Sequence, residues 1–158
     1  YAPNPVGWVD PFGLSCKEGV TDLASISADD VARAIQSIES KGLSFGQNFI
    51  YVSGANDKVA SSGGVQEKIN SLLDPNGTLN WPMVDVNNVI VEGHHTIVAM
   101  ELMGYLDEGL IASIKEETNL MLKADKTDPN NWVHGMTRTA ASDVKILDSS
   151  GSLIRYAK

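Results

Sequence analysis

A single cysteine, Cys16, stands in the whole chain, so no internal disulfide can form and the fold must hold by packing alone, a state compatible with a reducing cytosol. Cys16 also has no local base beside it and is read as incidental rather than nucleophilic. Long apolar runs are missing: none approaches the roughly 18 residues needed to cross a bilayer, and the first residues lack the basic-then-apolar order of a signal peptide. Basic residues are scarce, 12 Lys and Arg against 20 Asp and Glu, giving a net charge of −8 and a pI near 4.7. That balance opposes loose electrostatic capture of DNA or RNA, although a local cluster or a bound divalent cation can reverse the field at one site. No internal repeat and no long low-complexity tract occurs.

What is present suits an α+β domain. With 158 residues, 42% hydrophobic and 20% charged, the chain is long enough for one core, and one domain behind a short leader is expected. The leader, Tyr1 to Leu14, holds three of the six prolines and has no periodicity. After a linker from Ser15 to Ile26, Ser27 offers an N-cap, Asp29 and Asp30 fill the first turn, and Val31, Ala34, Ile35 and Ile38 share one helical face ended by Gly42. Asn48 to Ser53 reads as a strand, and Gly54 to Gly64 as a polar loop. Val65, Ile69, Leu72 and Leu73 mark a second helix closed by Asp74-Pro75-Asn76-Gly77. Two strands, Trp81 to Val86 and Val89 to Glu92, flank Asn87-Asn88, a pair suited to positive φ at both positions. Asp107 to Asp125 is expected to be mainly helix, Asp128 to Asn131 a turn, and Val144 to Asp148 with Leu153 to Tyr156 a terminal hairpin.

Chemistry collects where the Val89 strand runs into Glu92-Gly93-His94-His95-Thr96 and an apolar helix. A helix start carries unpaired N–H groups and the positive end of the helix dipole, and glycine lets a ligand approach the backbone. Residues two apart on a strand share a face, so Glu92 and His94 can converge while His95 starts on the other side. One histidine can serve as acid or base near neutral pH, Glu92 can orient it or hold a metal, and the first N–H groups of the helix can hold a phosphate. A buried histidine beside a capping pair would read the same in sequence. Two further groups are candidates: His134 and Arg138 after the Asp128 turn, and Lys58 in the loop before the second helix, which lacks the order of a P-loop. The acid pairs Asp29-Asp30 and Glu116-Glu117 read as helix-surface charge.

The leader resembles the end of the core in Rhs/YD-repeat polymorphic toxins, where a Tyr-Ala-x-Asn-Pro stretch runs into Asp-Pro-x-Gly-Leu, matched here by Tyr1-Ala2-Pro3-Asn4-Pro5 and Asp10-Pro11-Phe12-Gly13-Leu14. In that family the core is a shell, the chain is cut after the leucine, and the region beyond is a toxin delivered into another cell. The resemblance implies that residues 1–14 end an Rhs core, 15–26 link, and 27–158 form the toxin domain, with the Rhs shell before release and a cognate immunity protein as partners. A second resemblance covers roughly Asn48 to Tyr105. A strand, a turn, a strand ending in Gly-His-His and an alanine-containing helix closed by Gly104 are similar to the ParB/sulfiredoxin-like fold, a small mixed sheet with packed helices. Its ParB-like toxin and nuclease members carry a signature such as Asp-Gly-His-His-Arg. The likeness places Gly93, His94, His95 and Thr96 in a phosphate-binding or catalytic turn. Glu92 replaces the common aspartate, and Thr96 replaces the common arginine, which removes a bidentate phosphate ligand.

Together these expectations describe an effector secreted by the producing bacterium and delivered to the target-cell cytoplasm, acting as a nuclease on DNA more than RNA. Glu92, His94, His95 and His134 are the catalytic candidates, Gly93, Thr96, Arg138 and Lys58 the phosphate-binding ones, and Glu92 a ligand for a divalent metal such as Mg2+. The alternatives are a toxin that hydrolyses or transfers the phosphates of a free nucleotide, and a non-catalytic binding module.

Overall fold

In the computed structural model, residues 23–54, 63–76, 81–85, 87–124 and 138–158 are described. The first helix, α1 (Ala28–Ser40), forms as its sequence dictates. The Ser27 hydroxyl accepts the Asp30 N–H and the Asp30 carboxylate accepts the Ser27 N–H, a reciprocal capping box. Val31, Ala32, Ala34, Ile35 and Ile38 are buried on one face. At the far end Gly42 takes φ +93°, and the N–H groups of Gly42 and Leu43 bond back to the carbonyls of Glu39 and Ile38. This Schellman closure turns the chain into the first strand.

Two three-stranded sheets follow. One holds β1 (Ser44–Phe45), β4 (Val89–Glu92) and β3 (Met83–Val84), with β4 central, parallel to β1 and antiparallel to β3. The other holds β2 (Phe49–Tyr51), β5 (Lys145–Leu147) and β6 (Leu153–Tyr156), with β5 central, parallel to β2 and antiparallel to β6. Consecutive strands β1 and β2 therefore enter different sheets, separated only by Gly46, Gln47 and Asn48. The mixed α+β class expected from sequence is what the chain adopts.

The β3–β4 turn differs in detail from expectation. Asn88 alone takes positive φ, at 65°, and Asn87 does not. The turn is organised by Asp85, whose Oδ1 accepts the N–H groups of Asn87 and Val89 at 2.8 and 2.9 Å, while its carbonyl accepts that of Asn88. A side-chain acceptor supplies the closure that a two-residue primed turn would otherwise require.

The other helices are α2 (Val65–Leu73), α3 (His94–Leu102) and α4 (Glu108–Ala124), and a 3-10 turn spans Ala141–Asp143. Helix α3 is the centre of the molecule: it packs on α1 and α2, and all its residues except His95 and Glu101 are buried. A helix buried nearly all round has no amphipathic stripe, which is why α3 reads as continuously apolar in sequence. Gly104, at φ +79°, closes it in the same manner as α1, with Gly104 and Tyr105 bonding to Glu101 and Met100. Glu101 faces α1, where it pairs with Lys41 and accepts the Ser37 hydroxyl at 2.9 Å. The segment Leu23 to Ile26, assigned to the linker by sequence, is tied to α2: Gln66 accepts the Ile26 N–H and donates to the Leu23 carbonyl.

Helix α4 covers β3 through one buried polar residue. The Thr118 hydroxyl accepts the Val84 N–H at 3.1 Å and donates to the Ile114 carbonyl at 2.8 Å. Thr118→Val keeps the shape and strands that amide, so urea unfolding should show a loss of about 1–3 kcal/mol, with Thr118→Ser close to the parent. Equal stability of the valine variant would show that this bond does not matter.

Candidate functional site

Strand β4 buries Val89, Ile90 and Val91 on both faces, as a central strand must, and emerges into solvent at Glu92. Gly93 then takes the left-handed conformation, φ 77° and ψ 32°, directly before α3. A Cβ at this position would lie 2.7 Å from Cα and Cβ of Pro82, so both the dihedrals and the close approach require glycine. The first intrahelical bond runs from Ile97 N–H to the Gly93 carbonyl. Glycine has no side chain with which to cap, and the N–H groups of His94, His95 and Thr96 find no acceptor among the described residues.

The two histidines diverge, as strand-to-helix geometry predicts, but both rings turn inward. His94, 5% exposed, accepts at Nε2 (3.1 Å) the Gly46 N–H, which is shared with the Ile90 carbonyl (3.1 Å), and stacks on Phe45 with centroids 6.1 Å apart. His95, half-buried, accepts the Tyr51 N–H at Nε2 (3.0 Å) and stacks on the Tyr51 ring at 6.1 Å. A ring nitrogen that accepts an amide proton carries none itself, so each imidazole is neutral with its proton on Nδ1. Burial lowers both pKa values to about 4, assisted for His94 by its neighbour His95 and for His95 by Lys68, against an opposing pull from Glu67. In this arrangement both Nε2 lone pairs are committed to main-chain amides, and the rings hold the turn against β1 and β2.

Glu92, Gly93, His94, His95 and Thr96 are thus gathered at one turn, with Glu92 exposed and Thr96 buried. Arg138 is elsewhere: its guanidinium donates to the Asn87 carbonyl at 2.9 Å, beyond the opposite end of β4, roughly 20 Å of extended chain from Gly93. His134 and Lys58 lie outside the described residues. Among those described, no group of three or more His, Cys, Asp or Glu side chains is set to hold a metal ion. Glu92 would bring one exposed carboxylate to a cation.

The roots of the Lys58 loop are fixed beside this turn. Glu67 Oε1 accepts the N–H groups of Gly54 and Gly64 at 2.6 and 2.7 Å, and Gln66 N–H bonds to the Val52 carbonyl at 2.9 Å. A Cβ on Gly64 would come within 2.6 Å of the Ser53 backbone. Helix α2 packs on α3 here, which is why Glu67 and Lys68 are felt at His95. Gly64 followed three residues later by Glu67 is a capping signal in sequence, but the partner amides of Gly46, Tyr51 and Gly54 are main-chain groups and carry no sequence signal. Against this geometry, no family model matches the chain, and no curated protein and no solved structure gives a significant match.

The histidines make stability depend on pH. Because each folded pKa lies near 4 and the unfolded value near 6.5, the unfolded chain binds more protons between those limits. Their contribution is complete above pH 6.5 and is lost as pH falls toward 4. Urea titrations at pH 7.5 and 5 should differ by about 2 kcal/mol per ring. His95→Gln, whose Oε1 can still accept the Tyr51 N–H, should remove its share of the slope. A flat profile over this interval would refute the inward-facing neutral rings.

Proposed function

We propose that the chain carries the end of an Rhs-type core followed by a toxic effector domain of ParB/sulfiredoxin-like type, which cleaves phosphodiester bonds in nucleic acid, DNA more than RNA, inside a target bacterium. The observation that carries this reading is the glycine-led start of α3 at the end of a central strand, whose first N–H groups meet no acceptor among the described residues and which has an exposed carboxylate at the same turn. Such a turn suits a phosphate, which the N–H groups of His94, His95 and Thr96 would receive with help from the helix dipole. Gly93 is the residue that brings that backbone close. His94 and His95 fix the turn against the two sheets, and Glu92 is left to act as acid or base or to hold a divalent cation, with His134 as its partner candidate.

The charge missing at Thr96 needs a source. Lys58, outside the described residues, falls in sequence between Gly54 and Gly64, whose amides are both clamped by Glu67. Mg2+ is a second source: it favours hard oxygen ligands and commonly sits between one or two carboxylates and substrate phosphates, and Glu92 fits that chemistry. Arg138 is assigned instead to the Asn87 turn by its hydrogen bond. A cognate immunity protein would protect the producing cell, and delivery would end in the target cytoplasm.

Hydrolysis or transfer of the phosphates of a free nucleotide at the same turn is the second reading, favoured by the net charge of −8, which a small ligand tolerates better than a polymer. Incubating the chain with supercoiled plasmid, RNA and nucleoside triphosphates, with Mg2+ or with EDTA, separates them. Nucleic acid should be cut with Mg2+, and Glu92→Gln should cut at least about 100-fold more slowly while remaining folded. Phosphate release from triphosphates with plasmid and RNA intact would select the second reading. Binding without turnover of any of them would make the domain a binding module.

A further inference from the structure

Among the described residues, no helix covers the outer face of the second sheet, whose side chains are half-buried to exposed. Ile50 and Ile146 point inward and are fully buried, so by the two-residue period of a strand Phe49, Tyr51, Lys145 and Leu147 point out. Register adds Tyr156 opposite Lys145 and Leu153 opposite Leu147, 40% and 49% exposed. These six residues line a groove of about 360 Å³. That volume lies at the lower end of small-molecule sites, where one base and its sugar fit. Phe49 meets Tyr51 edge to face at 5.7 Å, and Tyr51 stacks on His95 at 6.1 Å, so a strip of rings runs from the groove to the first turn of α3.

Charge identifies the occupant. Lys145 is the one charged side chain lining the groove, and it has no ion-pair partner among the described residues. An ammonium without an ion-pair partner, set among flat rings, is complementary to an anion that carries an aromatic face, and it reverses locally the field of an otherwise acidic chain. Rings accept any base by stacking, whereas a duplex keeps its bases stacked on one another and offers only its backbone.

We propose that this groove binds the unpaired bases of single-stranded nucleic acid, stacked on Phe49 and Tyr156 with a phosphate on Lys145, and leads the strand along Tyr51 to the α3 turn. The inference rests on the nucleic-acid reading of that turn and names its substrate as single-stranded.

Fluorescence anisotropy with labelled 12-mers tests it, using deoxy and ribo single strands and a 12-base-pair duplex on the full chain. Single strands should bind at least tenfold more tightly than duplex, with the deoxy and ribo arms showing which sugar is preferred. Phe49→Ala and Tyr156→Ala should each weaken single-strand binding about tenfold, and Tyr156→Phe should not, because it keeps the ring. Lys145→Ala should reduce the slope of log affinity against log salt by about 0.7, the share of one phosphate contact on a single strand. Circular dichroism establishes that each variant is folded. Unchanged affinity in Tyr156→Ala, or preference for duplex, overturns the platform even if nucleic acid is still cut. No binding and no cleavage of any oligonucleotide would remove the nuclease reading with it. A concentration-dependent dimer abolished by Tyr156→Ala, with no oligonucleotide bound, would assign the face to a second copy.

Discussion

Two imidazole rings on adjacent residues hold together the parts of this molecule that hydrogen-bonded ladders leave separate. The chain passes from β1 to β2 through three residues and in doing so changes sheets, and among the described residues no ladder joins the two. His94 takes an amide just beyond β1, and His95 takes an amide of β2, an edge strand of the second sheet. Both acceptors belong to the first turn of α3, so one helix start fixes the spacing of both sheets. The arrangement works only with neutral rings, and burial secures that state. In the folded chain both rings accept main-chain donors: His95 is the acceptor for the Tyr51 N–H, and His94 shares the Gly46 N–H with the Ile90 carbonyl.

The same bonds explain why the candidate site can exist. A left-handed glycine before an uncapped helix leaves three N–H groups without acceptors among the described residues. Such a turn keeps its shape when something else fixes it, and here the fixing groups are two imidazoles bonded to the amides of Gly46 and Tyr51. The turn therefore presents backbone N–H groups and Glu92, while the two imidazoles brace it against β1 and β2.

Elements whose signals are local were legible in the sequence. The Ser27 cap, the apolar spacing of Val31, Ala34, Ile35 and Ile38, and Gly42 give α1 nearly residue for residue. The helix predicted in the Asp107 to Asp125 region is present as α4, and the terminal hairpin forms around an Asp148 that accepts the amides of Ser150 and Ser152. The parallel pairings of β1 with β4 and of β2 with β5 were not legible, because they join stretches far apart in sequence through main-chain groups alone. Ser44–Phe45 is too short to show alternation. At the site, the turn itself could be read from Glu92-Gly93-His94-His95, but the direction of the rings could not, since it depends on the amides of Gly46 and Tyr51. Arg138 has the right charge for a phosphate, and only the folded chain reveals that its reach ends at Asn87.

The Glu67 carboxylate, bonded to the amides of Gly54 and Gly64, has a consequence for how such a domain can diversify. The amides of Gly54 and Gly64 are clasped by a single side chain, and Gly64 rests on Ser53, so these two points of the chain are held together. Lengthening a closed loop adds only slowly to its entropic cost. The closure at Gly54 and Gly64 accordingly depends on Glu67 and not on how many residues separate the two amides, so a change of length between them leaves the clasp itself in place.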